Sequence, residues 1–185
     1  MSTGLLKRFD PRRLAAHDGG TGGTLTGEVD TTLMPRLREA LAGDEPATAS
    51  FELRVFRDKA RRLVIEGNVH AELACECQRC LEPVTVPVDA QFALAVVDDE
   101  EAARNLPVEL DPLLLEQEAE VDLPALVEDE LILALPQIPM HEDVADCGER
   151  ARIVKVDEEF DDSTKKENPF AVLKKLKNGN TDRGK

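Results

Sequence analysis

The alternation of apolar and polar positions carries the strongest signal in the chain. Ser50–Arg57 sets Phe51, Leu53 and Val55 on one parity against Glu52 and Arg54 on the other. Leu63–Cys77 repeats the pattern at greater length. Leu63, Ile65, Val69, Ala71, Leu73, Cys75 and Cys77 oppose Glu66, Asn68, His70, Glu72 and Glu76. After Gln78-Arg79 the alternation resumes through Val84, Val86, Val88, Ala90, Phe92, Leu94 and Val96. Period two with one apolar parity predicts antiparallel strands with one face on a core and the other in water. The break at 78–79 predicts a long hairpin tipped by Cys77-x-x-Cys80. Thr24–Val29 adds a short edge strand. Pro83 and Pro87 remove ladder donors, so the strand they open is expected at an edge or bulged at its start.

Helical spacing appears twice before the tail. Thr31–Leu41 repeats Leu33, Leu37 and Leu41 every fourth residue, with Thr31 or Thr32 as cap and Gly43 as stop. Asp122 caps a second helix over Leu123–Leu135, with Pro124 tolerated in its first turn. At about 100° per residue, Leu123, Leu126, Val127, Leu131 and Ala134 share a face. Glu130 falls inside that stripe, while Glu128 and Asp129 point away. A carboxylate there is expected to be paired, with Arg79 as one candidate, to be protonated, or to reach solvent from the rim. Asp98–Gln117 reads as irregular with a short strand at Val108–Leu110, and Glu118–Asp122 as another strand. The fold class implied is α+β: an antiparallel sheet or partly open barrel with a Cys-tipped hairpin and two packed helices. Residues 1–150 form one domain in this reading, and 151–185 a charged, flexible tail. Asn168-Pro169 caps a short amphipathic helix over 169–177, where Phe170, Leu173 and Leu176 alternate with Lys174, Lys175 and Lys177.

Composition narrows the setting. Forty-two percent hydrophobic residues suffice for a core, and 3% aromatics without Trp or Tyr make it aliphatic. No apolar run reaches the ~18 residues of a membrane span, and the N-terminus lacks a secretory apolar segment. A cytoplasmic location follows as the expectation, with thiols reduced or metal-bound. The net charge of −15 is concentrated: residues 98–150 carry 2 Lys/Arg against 17 Asp/Glu. Such a field repels a bare phosphate backbone and attracts basic partners. The glycine run at 19–23 lacks the Lys-Ser/Thr of a phosphate loop and reads as a connector.

Cys77-x-x-Cys80 admits three readings: half of a zinc site, a redox couple, or plain buried thiols. A redox pair wants its first thiolate at a helix N-terminus, yet a period-two run follows here. Zinc needs two more ligands, for which His141 and Cys147 are the natural candidates and Cys75 a substitute. Cys77, Cys80, His141 and Cys147 together would make a closed structural site. His17 and His70 read as solvent-exposed. No nucleophile elbow, zincin motif or dinucleotide fingerprint is present, and the acidic residues of 98–130 read as a solvated face.

Three segments carry a resemblance. They are Glu76-Cys77-Gln78-Arg79-Cys80, Leu126-Val-Glu-Asp-Glu-Leu-Ile-Leu-Ala-Leu-Pro136 running on to Pro139-Met140-His141, and Asn168-Pro-Phe-Ala-Val-Leu173. In this order the chain resembles the YceD family of large ribosomal RNA subunit accumulation proteins. The resemblance implies a cytoplasmic, non-enzymatic role in synthesis, processing or stability of 23S ribosomal RNA. Its implied partners are the pre-ribosomal large subunit, ribosomal proteins or the RNA itself. Arg79, Glu130, Phe170, Leu173, Lys174, Lys175, Leu176 and Lys177 are the expected contact residues. Direct RNA binding through the basic termini and thiol redox chemistry are the alternatives.

Overall fold

A computed structural model describes residues 7–16, 22–43, 45–116 and 119–148. The expected tail and the helix over 169–177, with Phe170, Leu173, Lys174, Lys175, Leu176 and Lys177, lie outside the described residues, as does His17. Within them, β1 (Arg8–Phe9) leads into α1 (Pro11–Ala15), whose Asp10 cap accepts the N–H groups of Arg12 and Arg13. β2 (Gly23–Asp30) and α2 (Pro35–Ala40) precede the long strands β3 (Thr48–Arg57), β4 (Leu63–Glu76) and β5 (Pro83–Val97). Then come α3 (Glu100–Arg104), β6 (Asp111–Leu114), β7 (Val121–Asp122) and α4 (Leu123–Ala134).

The sheet runs β2-β3-β4-β5-β6, antiparallel except for the β5–β6 pair. Its backbone is the β4–β5 hairpin, in register from Leu63↔Val96 to Glu76↔Pro83. The edges β2 and β6 do not pair with each other, so the sheet is not closed into a barrel. A short parallel β6, covering only Leu94–Val97 of β5, leaves nothing to close against β2. Pro83 and Pro87 sit in the half of β5 that only β4 flanks, an edge in effect, as the missing N–H groups require.

One parity is buried as the alternation predicts: Phe51, Leu53, Val55, Ile65, Val69, Ala71, Leu73, Val88, Ala90 and Leu94 pack in a single core with Leu123, Leu126, Val127 and Leu131 of α4. Phe92 packs over its cross-strand neighbour Gly67, so a side chain at 67 would have to displace the ring. The alternation fails at the far end of the hairpin. Val64, Ala95 and Val97 are buried on the opposite parity, where α3 and β6 fold back along β5. The strand expected at Val108–Leu110 is instead a turn, closed by the Leu110 N–H on the Pro107 carbonyl, and the strand follows at β6.

Two helical expectations are revised. Thr31–Leu41 is not one helix: a 3-10 turn over Thr31–Leu33, capped by Asp30, gives way to α2 at Pro35. Proline cannot donate to a preceding turn, so the chain restarts there. α2 has Met34 at its cap position and no side-chain cap of its own. Its first N–H groups find a tertiary partner. Glu128 Oε1 accepts from Arg36 N at 2.7 Å and Leu37 N at 3.1 Å, while Oε2 accepts from Arg36 Nε at 3.1 Å and Nη2 at 2.9 Å. Glu128, expected to point away from the core, is therefore its buried carboxylate, its side chain 5% exposed. Arg36 also pairs with Asp129.

Glu130 sits half-buried at the rim. Burial raises its pKa, as do the neighbouring Asp111 and Asp129. Arg79 does not pair with it; that guanidinium reaches Cys147 Sγ at 3.6 Å and Met140 Sδ at 3.7 Å.

Two stability measurements check this account. Glu128→Ala leaves the α2 N–H groups and the Arg36 charge unmatched, and should cost about 3 kcal/mol in urea unfolding. Glu130→Gln should raise the urea midpoint at pH 7. The folded pKa lies above the unfolded one, so ionisation weakens folding above the raised value and that penalty is relieved as pH falls through it. The gain from the substitution should narrow accordingly toward pH 4.5.

Candidate metal centre

The four residues expected to share a site converge. Cys77, Cys80, His141 and Cys147 place their ligand atoms within 4.8 Å of one another, the three thiols buried and the histidine half-buried. Two come from the hairpin tip and two from the loop after α4. The tip is a tight turn: Leu81 N–H donates to the Cys77 carbonyl at 2.8 Å, and Cys77 N–H to the Glu82 carbonyl at 2.9 Å. Gln78 N–H donates to the Pro139 carbonyl at 2.9 Å, which brings the loop onto the tip. A 3-10 turn over 144–148, begun by the Asp143 carboxylate accepting Ala145 N–H, then carries Cys147 inward.

Geometry tests the set for a metal. A tetrahedral ion bonded at about 2.3 Å to sulfur and 2.0–2.1 Å to nitrogen needs edges of about 3.8 Å between sulfurs and 3.6 Å from sulfur to nitrogen. The structure has 3.9 Å for Cys77 Sγ to Cys147 Sγ. His141 Nδ1 lies 3.6 Å from Cys80 Sγ and 3.5 Å from Cys147 Sγ. These three edges fit a tetrahedral ion that would be bound through His141 Nδ1, and the remaining ones lie within 4.8 Å.

The electrostatics match a thiolate ligand. Burial alone would push the Cys77 thiol up. The backbone N–H groups of His141, Arg79 and Cys80, with the His141 ring, outweigh it and bring the pKa down to about 5. This depression needs no helix: the residues after Cys80 enter β5, and the turn supplies the donors. A fully buried thiolate of this kind is a ligand before it is a nucleophile. Cys147 moves the other way. Burial raises it, then the Cys80 thiol, while Arg79 opposes. Cys75, the substitute ligand, is buried on the strand outside the cluster, and burial raises its thiol too. His70 is exposed on the open sheet face, its Nδ1 2.8 Å from Asp89.

Sequence reasoning named the four residues that converge but missed what Arg79 does. Three thiolates and a neutral histidine around a divalent cation leave one net negative charge, and the Arg79 guanidinium lies against Cys147. Its place between Cys77 and Cys80 is the signal that was available.

An open α+β sheet whose longest hairpin is closed by a Cys/His cluster defines the class of this protein. The sequence profile of the family described as Large ribosomal RNA subunit accumulation protein YceD matches residues 65–177, a span that contains all four clustered residues. The chain belongs to that family. It is 34% identical over 151 residues to the Large ribosomal RNA subunit accumulation protein YceD of Haemophilus influenzae, covering 78% of this chain and 82% of the relative. No solved structure matches the chain significantly.

Cobalt(II) added to the metal-free full chain should give the visible bands of tetrahedral cobalt and thiolate-to-cobalt charge transfer, both weakened or lost in Cys77→Ser. The weak spectrum of six-coordinate cobalt in the unsubstituted chain would contradict the geometry.

Proposed function

We propose that the protein acts in the synthesis, processing or stability of large-subunit (23S) ribosomal RNA, as a non-enzymatic cytoplasmic factor working through protein contacts. Family membership carries the reading. Charge supports the choice of protein over bare RNA: residues 98–150 hold 17 Asp/Glu against 2 Lys/Arg, a field that favours basic partners such as ribosomal proteins. Among the described residues no helix is long and apolar enough to cross a membrane.

The cluster at the tip is proposed to hold structural zinc. Its tetrahedral spacing and three thiols support that metal, and four protein ligands leave no open position for a reacting water. The ion would tie the loop after α4 to the hairpin tip. Proposed contact residues are Phe170, Leu173, Lys174, Lys175, Leu176 and Lys177, with half-buried Arg79 and Glu130 as lesser members.

Protein purified from growing cells without chelator should carry about one zinc per chain, and Cys77→Ser much less than one. Crosslinking on large-subunit precursors should recover ribosomal proteins ahead of 23S RNA. Recovery of neither would sink the reading; RNA crosslinks lost on removing residues 168–185 would favour direct RNA binding instead.

A further inference from the structure

The proposed metal gathers more than its ligands. Among the described residues eight large apolar side chains stand exposed, and four of them lie within three positions of a cluster residue. Leu81 follows Cys80 and is 61% exposed; Ile138, 65%, and Met140, 45%, precede His141; Val144, 56%, stands midway between His141 and Cys147. Scattered apolar surface needs no explanation, but a concentration at one rigid tip does.

Leu81 sharpens the point. Its φ is +63°, a left-handed conformation that glycine adopts freely and leucine does not. A turn needing only its shape is served better by glycine. The leucine side chain does not repay the strain by entering the core, since most of it faces solvent.

Charge chooses the partner. The same two segments expose Glu76, Glu142, Asp143 and Asp146. Their cation, Arg79, is already held on Cys147 and Met140, and His141 belongs to the cluster. An apolar patch with an acidic rim is complementary to an amphipathic helix whose apolar stripe is flanked by Lys and Arg, and it repels a phosphate backbone.

We infer that the Cys/His-clamped tip, with Leu81 and Met140 at its centre, is a docking surface for a basic amphipathic helix of a partner protein. The inference rests on the zinc reading above and names the contact that the proposed function leaves open. The metal holds the two apolar-bearing segments together, and the carboxylates set the sign of the partner.

The test uses the full, zinc-loaded chain and a synthetic amphipathic helix of Leu and Lys, labelled for fluorescence anisotropy. A peptide of the same composition scrambled to lose its apolar stripe controls for net charge. The amphipathic peptide should bind at least about tenfold more tightly than the scrambled one. Leu81→Gly should weaken it about tenfold while zinc stays at one per chain and the melting temperature does not fall, because the substitution relieves the backbone. Met140→Gln, which leaves the Leu81 backbone as it is, should weaken binding in the same direction. Equal binding of both peptides, or unchanged binding by both variants at full zinc occupancy, overturns the inference and leaves the zinc reading standing. A chain that purifies without zinc defeats the zinc reading instead. A concentration-dependent dimer dissolved by Leu81→Gly would assign the patch to a second copy and also overturn the choice of partner.

Discussion

The ladder between β4 and β5 sets the positions of nearly everything else. Its fourteen cross-strand pairs run without a slip from Leu63↔Val96 to Glu76↔Pro83. A one-residue shift would turn every apolar side chain to water, so burial of a single face holds the register. The ladder carries Cys77 and Cys80 to the far end of the longest element in the chain. It also provides the surface on which α4 lies. Twelve residues of helix, about 18 Å, then bring the chain to Pro136, and from there Pro139 meets Gln78.

Glu128 gives that arrangement its second anchor. A helix as short as α2 is not stable alone, and its N-terminus lacks a side-chain cap. The carboxylate of α4 serves in that place, accepting two backbone N–H groups and two from the Arg36 side chain. It joins the two helices over one end of the core and helps hold α4 on the sheet. The contact spans more than ninety residues of sequence, so no local pattern announces it.

The same dependence on long-range contact shapes the Cys/His cluster. Cys77 and Cys80 are only half a site, and their turn supplies N–H groups that favour a thiolate at Cys77. The other half arrives because α4 ends at Ala134, ahead of Pro136, and the chain that follows meets the tip where the Pro139 carbonyl accepts from Gln78 N–H. Arg79 is drawn inward by the cluster that its neighbours form. Leu81 and Met140 stand exposed beside it, and the flanking Glu76 and Glu142 are exposed as well.

By itself the sequence determined the elements that depend on short-range periodicity: strands β3, β4 and β5, the hairpin break at 78–79, and α4 with its Asp122 cap. It also named all four clustered residues, because Cys is rare here and His141 stands six residues before the one cysteine outside the hairpin. Tertiary structure decided the rest. Glu130 lay on the apolar stripe and Glu128 off it, yet Glu128 is buried, because what packs against a helix face depends on where α2 lands. Val64, Ala95 and Val97 carried no sign that they would be buried on the opposite face of the sheet. An open sheet and a closed barrel share one alternation, and only the edges distinguish them: β6 pairs parallel with β5 over four residues and does not meet β2. Periodicity records which face a strand buries; the neighbour that buries it is chosen by contacts far apart in the chain.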